Sequence, residues 1–196
     1  TLERSSAASD VYKRQLERFD YQLTSTGLKT SNTLKPDFNW AASDITEIKR
    51  QYNLKKYILL FPFCSPHLTL KKWPYYNDLI KLFLNKFGEE FKVLIAPSPQ
   101  EISEAKEIDA ISILDNEKAL DISQLTSLIK DSSFVIANDT GPAHIAARIG
   151  AKGLTLFGKH TTAYNVSIER KNFKPIEVSD LKNLGAEKVF ERILQN

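Results

Sequence analysis

Methionine is absent from the 196 residues, and cysteine occurs once, as Cys64. A lone cysteine excludes an internal disulfide and fits a reducing compartment. The lack of methionine predicts a chain that is processed or is a piece of a longer one. No apolar run approaches the roughly 20 residues that span a bilayer, and no signal-peptide pattern opens the sequence. A large excess of either charge is also missing. With 27 basic and 24 acidic residues the net charge is +3, too small to predict nucleic-acid binding, which shows as clustered basic residues and a larger excess. A mildly basic surface suits nucleotide phosphates or the anionic inner face of a membrane.

What is present is an ordinary folding composition. With 42% hydrophobic and 26% charged residues the chain is not of the disordered class, and its length can bury a normal core. Residues 1–15 are polar, small and without period, which predicts a disordered or non-native lead-in. Residues 16–40 are irregular, with Gly27 and Pro36 as breakers, and read as a short helix or strand followed by a linker. Ser43 is a candidate N-cap for a helix through about Tyr52, with Asp44 and Glu47 as acids in its first turn.

From Tyr57 the pattern becomes regular. Short continuous apolar runs at Tyr57–Phe61, Phe91–Ala96, Ile111–Leu114, Phe134–Ala137 and Gly153–Phe157 predict buried strands. Helices are expected over Pro74–Phe87, Gln100–Ile108, Ile122–Lys130 with Asp121 as cap, Pro142–Gly150 and Leu184–Leu194. Strands alternating with helices imply an α/β fold, a parallel sheet with helices on both faces and right-handed crossovers. Such sheets bind ligands beyond the carboxyl ends of their strands. The polar residues of interest follow strands in this way: Cys64, Ser65 and Lys71-Lys72-Trp73-Pro74, then Glu101, then Asp139 to His144, then Gly158, Lys159 and His160.

The segment Phe134-Val135-Ile136-Ala137-Asn138-Asp139-Thr140-Gly141-Pro142-Ala143-His144-Ile145-Ala146-Ala147 is the most informative. An apolar strand runs into an acid, a hydroxyl and a glycine, then into a helix whose unpaired N–H groups and positive dipole end favour an anion. Gly141 permits close backbone approach, Pro142 suits a first helical position, and His144 shares the helix face of Gly141. Together they predict a bound phosphate ester. Asp139-Thr140-Gly141 also occurs in aspartic proteases, but there the acid lies in a loop between strands rather than before an alanine-rich helix.

These blocks, together with Leu156-Phe157-Gly158, resemble the carboxyl-terminal half of the family 9 glycosyltransferases, the lipopolysaccharide heptosyltransferases that use ADP-heptose. The resemblance runs from about Tyr57 to the end of the chain. It implies a Rossmann-like sheet, the C-terminal domain of a GT-B glycosyltransferase. Residues 16–52 are then the tail of an N-terminal domain and an interdomain linker, and 53–196 the Rossmann-like nucleotide-sugar-binding domain. The implied partners are an ADP-sugar donor and a lipid A–core oligosaccharide acceptor, with no nucleic acid. The implied location is the cytoplasm, with peripheral contact at the inner membrane.

By the same resemblance Lys71 meets the donor diphosphate, Ser65 donates to a phosphate oxygen, and Glu101 accepts hydrogen bonds from the ribose hydroxyls. Thr140 and Gly141 present hydroxyl and backbone N–H to the diphosphate. His144 is either a phosphate donor or a satisfied helix histidine. Asp139, which repels phosphate, either caps the helix or accepts from sugar hydroxyls. Trp73 is expected to pack beneath the loop. His67 and His160 lack metal-ligand spacing with the cysteine, so neither a metal nor a cofactor is expected, and His160 and Lys159 are left as rim contacts. The reaction implied is an inverting, metal-independent transfer of a heptose or related sugar, with the catalytic base in the N-terminal domain and this polypeptide inactive alone. The loop Ala96-Pro97-Ser98-Pro99 departs from the family's glycine-containing one. The alternatives are a non-catalytic nucleotide-sugar-binding module and a GT-B enzyme that uses a UDP-sugar.

Overall fold

A computed structural model describes residues 14–65 and 67–196. The expected lead-in, residues 1–15, lies outside the described residues apart from Arg14 and Gln15, and Gln15 opens the first described helix, α1 (Gln15–Ser25). Helix α1 buries none of its residues; Gln15 N–H donates to the Asn165 carbonyl at 2.8 Å, and Asp20 accepts from the Thr30 hydroxyl at 2.7 Å. Helix α2 (Thr46–Gln51) follows. Ser43 does not cap it. Its backbone N–H donates instead to Ser127 Oγ at 2.8 Å, while Asp44 accepts from Thr46 N–H at 2.9 Å and takes over the capping task.

The described strands form one parallel sheet in the order β3-β2-β1-β4-β5-β6. They are β1 (Tyr57–Phe61), β2 (Lys92–Ile95), β3 (Ile111–Ser112), β4 (Phe134–Asn138), β5 (Gly153–Phe157) and β6 (Phe173–Glu177). The expected Rossmann-like α/β class is therefore present. β1, β4 and β5 are buried along their whole length, as continuous apolar runs require when helices cover both faces. Alternate side chains serve opposite layers. Ile58, Leu60, Ile136, Leu154 and Leu156 pack with Tyr76, Leu79, Ile80 and Phe83 of α3 (Tyr76–Phe87) and with Val189 and Ile193 of α6 (Ala186–Leu194). Leu59, Val135, Ala137 and Phe157 pack with Leu128 and Ile129 of α4 (Ile122–Lys130) and with Ala143, Ala146 and Ala147 of α5 (Gly141–Ile149). Burying each large aliphatic side chain contributes about 1.5–3 kcal/mol, and the small alanines of α5 let it lie close on β4.

Three expectations are revised. Residues 100–108 hold only a 3-10 turn at Glu104–Glu107, because the proline-flanked Ser98 and Glu101 form a self-contained turn instead of a helix. Strand β6 is an addition to the expected strands, since Lys174-Pro175 interrupts its apolar pattern; proline is tolerated there because β6 is an edge strand and pairs only with β5. Gly141, not Pro142, is the first residue of α5, which places proline one step inside the first turn. Asp121 caps α4 as expected, accepting from Gln124 N–H at 2.7 Å.

Gly153 opens β5 beneath its neighbours: a Cβ there would sit 2.3 Å from the Val135 carbonyl oxygen and 2.8 Å from the Phe173 ring. Because the first obstacle is backbone, the sheet itself would have to move. Gly153→Ala is expected to cost about 3 kcal/mol or more in urea denaturation, in the upper range of single substitutions. A loss below about 1 kcal/mol would show that β4 and β5 can part to make room.

Candidate functional site

The strand order reverses its direction of travel between β1 and β4, since β2 and β3 lie on one side of β1, and β5 and β6 lie beyond β4. At such a switch point the connections leave in opposite directions and open a crevice at the carboxyl ends of the two strands. A cleft of 490 Å³ occupies that position, walled by Phe61 and Pro62 at the end of β1, the Ala96–Pro99 loop after β2, and the turn from β4 into α5.

Buried Asn138 at the end of β4 sets the crevice. Its Nδ2 donates to the Pro62 carbonyl at 2.7 Å, and its Oδ1 accepts from Tyr76 Oη at 3.3 Å and Trp73 N–H at 3.4 Å. One amide thus joins β1, β4 and the loop that leads into α3. Trp73, 1% exposed, packs edge-on to Tyr76 and donates its indole N–H to the Leu184 carbonyl at 2.7 Å, the packing role expected of it.

Held by that framework, the Lys71 ammonium lies 2.6 Å from Asp139 Oδ2. The Asp139 side chain is only 4% exposed and Lys71 is 21% exposed, so the cation is the outer member of the pair. His160 Nε2 is 3.3 Å from the same oxygen, and His144 Nε2 is 3.5 Å from Oδ1. Burial alone would raise the Asp139 pKa, yet the His144 and Lys71 hydrogen bonds and the lysine charge outweigh it and hold the group far below the usual carboxylate range. Asp139 does not cap α5, and neither does the Thr140 hydroxyl, although Thr140 occupies the N-cap position. The Thr140 carbonyl accepts from Ala143 N–H at 3.1 Å. The Gly141 N–H makes no hydrogen bond to a described residue, and a Cβ added at Gly141 would meet nothing within 4 Å. This glycine fills no steric need of the fold.

Ser65, Lys71, Glu101, Asp139, Thr140 and Gly141 all line the one cleft. Glu101 spends one oxygen on Ser98 N–H at 2.8 Å, forming the turn that shapes the loop after β2. His144 is not part of the lining and reaches the cleft only through Asp139. Leu120, Ile122 and Leu125 supply an apolar wall, and Ile122 is 63% exposed there. His160 is the residue that sequence reasoning undervalued. Its ring is stacked on Phe157, and its Nδ1 is buried without a partner. Its place beside Asp139 follows from β5 lying next to β4, a neighbour relation that no local spacing reveals. Among the described residues no group of histidine, cysteine and acid side chains is arranged to hold a metal.

The model of glycosyltransferase family 9 (heptosyltransferase) matches residues 7–188. The chain belongs to this family. Among solved structures, it is similar to the E. coli ADP-heptose lps heptosyltransferase II, at 18% identity and a TM-score of 0.64, covering 86% of this chain and 52% of that one. The E. coli heptosyltransferase WaaC with ADP-2-deoxy-2-fluoro heptose is similar at 18% identity and a TM-score of 0.66, covering 94% and 56%. A family 9 glycosyl transferase from Veillonella parvula gives 14% identity and a TM-score of 0.63, covering 89% and 57%. The chain thus spans about half the length of these structures, and the likeness to them is one of fold. No curated protein sequence matches. No described helix is long and apolar enough to cross a membrane.

Burial lowers the pKa of His160, with Asp139 opposing and Lys71 assisting. The folded protein therefore resists a proton that the unfolded chain accepts near pH 6.5, and stability should fall as the pH drops below about 6.5. Asp139 works at a lower range: its contribution is complete above about pH 4 and fades as the pH falls further. An NMR titration of the histidine rings should place His160 below pH 6.5, and His160→Gln should flatten that part of the stability profile. A His160 midpoint at or above 6.5 would contradict this arrangement.

Proposed function

We propose that the cleft holds the diphosphate of an ADP-sugar and that this chain is the donor-binding half of a glycosyltransferase that passes a heptose or related sugar to a lipopolysaccharide core acceptor. The observation that carries the reading is Gly141: an unpaired N–H at a helix start, with open space where a side chain would be, beside an ammonium whose counter-ion lies behind it. A diphosphate oxygen fits that space and accepts from the Gly141 N–H with the helix dipole behind it. The Thr140 hydroxyl, engaged only by a 3.4 Å contact to the Asn138 carbonyl, is free to turn toward the same anion.

The chemistry follows from where charge develops. In a single displacement at the anomeric carbon the sugar bond breaks and the nucleoside diphosphate leaves with an added negative charge. Lys71, Gly141 N–H and the α5 dipole face that charge already oriented, so they stabilise the transition state more than the donor itself. Asp139 serves as a positioning residue: it orients Lys71 and, being the inner partner, leaves the cation to meet the ligand first. The Ser65 hydroxyl lies on the same rim. Glu101, with one oxygen committed to Ser98, has the other for ribose hydroxyls, and Leu120, Ile122 and Leu125 give the base an apolar seat. His144 acts on the site through Asp139. Residues 16–52 would then connect to a facing domain that supplies the base for the acceptor hydroxyl, with the protein working at the cytoplasmic face of the inner membrane.

Calorimetric titration of the chain with ADP is expected to show saturable 1:1 binding, with ADP stabilising the fold more than UDP in a thermal-shift comparison. Lys71→Ala should weaken ADP by about tenfold or more, the scale of a lost charge-assisted hydrogen bond. Gly141→Ala should fold as stably as the wild type, because its Cβ enters open space, yet bind ADP more weakly. Wild-type affinity in both variants, or no saturable ADP binding to the folded chain, would refute the assignment.

A further inference from the structure

The far end of α5 carries a second polar cavity that the donor reading does not use. It has a volume of 580 Å³ and is lined by Lys35, Arg148, Arg170 and Lys171 together with Asn39 and Asn172, with no acidic side chain in its walls. It lies about 12 Å along the α5 axis from the Gly141 end, by the rise of 1.5 Å per residue. Arg148 sits in the last turn of α5, where the helix dipole favours a cation. It makes no hydrogen bond or ion pair with another described residue, and its Nη1 is buried without any acceptor. A carbonyl cap would satisfy that nitrogen, and no described residue supplies one.

Arg170 is anchored differently. Its Nη1 donates to the Ser167 and Glu169 carbonyls at 3.0 and 2.6 Å, which fixes the guanidinium without neutralising it. Glu169 directs its carboxylate to Lys174, not to either arginine. Burial and the neighbouring Arg170 lower the Arg148 pKa to about 10, so the group stays protonated at neutral pH and meets another cation instead of a counter-ion. A fork of donors held beside a second guanidinium, with two lysines at the mouth, lacks one component: an oxyanion with several acceptor oxygens.

We infer that the cavity formed by Arg148, Arg170, Lys35 and Lys171 is a second anion site, taking the phosphate group of a phosphate ester. Planar guanidinium forks match phosphate oxygens in pairs, which a lysine point charge does not. A phosphate there would give Arg148 Nη1 its acceptor and relieve the repulsion between the two arginines. The site is independent of the donor cleft, with which it shares none of its lining residues.

The test is a thermal-shift titration of the full chain with inorganic phosphate, set against chloride at equal ionic strength. The expected result is a saturable upward shift with phosphate alone that persists in Lys71→Ala and disappears in Arg148→Leu. Since Arg148 has no partner to lose among the described residues, Arg148→Leu should melt at or above the wild type in phosphate-free buffer. Arg148→Lys should keep the response with affinity reduced about tenfold, as expected for a lost bidentate contact. Sedimentation with vesicles separates the sources of the phosphate. Arg148-dependent pelleting with phosphatidylglycerol but not phosphatidylcholine, competed by inorganic phosphate, assigns a lipid headgroup. Phosphate binding without pelleting assigns a soluble ester. An equal shift with chloride, an unchanged response in Arg148→Leu, or a response lost in Lys71→Ala instead would overturn the inference.

Discussion

The buried carboxylate of Asp139 is the constraint around which the site is arranged. A charge nearly sealed from water persists only when surrounded by donors, and three converge on it from separate parts of the chain: Lys71 from the loop before α3, His144 from α5 and His160 from beyond β5. The pairing ties the rim of three elements to one point. It also explains how an acid can stand beside the proposed diphosphate site. The carboxylate lies behind the ammonium, where it fixes the geometry of the cation without standing between it and the cleft.

Asn138, one residue earlier, does the corresponding work with neutral groups. Its amide links the Pro62 carbonyl, the Tyr76 hydroxyl and the Trp73 N–H, so the crevice between β1 and β4 is held open at a set width by hydrogen bonds that water cannot reach. Neighbouring residues of one turn thus divide the labour: Asn138 spaces the strands, Asp139 orients the lysine, and Thr140 with Gly141 leaves the helix start available.

How far the sequence disclosed all this depends on where each signal resides. β1, β4 and β5 were legible because strands covered on both faces must be apolar throughout, and the β4 turn was legible because a strand meeting Gly-Pro at a helix start has few other readings. β6 was hidden by Pro175, which only its edge position makes tolerable. The acidic run after residue 100 looked helical by composition, but the prolines around Ser98 turned Glu101 back on its own loop. Asn138 and His160 escaped because their partners are distant in sequence and adjacent only once the sheet order exists. Arg148 escaped for the opposite reason: its position at a helix end looks ordinary until the structure reveals that no described residue answers it.

The indole N–H of Trp73 reaches the Leu184 carbonyl, 111 positions further along the chain, and α3 packs on α6 beside it. The segment that delivers Lys71 is therefore latched by a part of the polypeptide synthesised well after it. A nascent chain still attached to the ribosome at the level of β5 would already possess the helix start and its glycine, but not the latch that keeps the ammonium in register. If the cleft takes a nucleotide as proposed, that competence would arrive abruptly, with the docking of α6, instead of growing in step with the sheet.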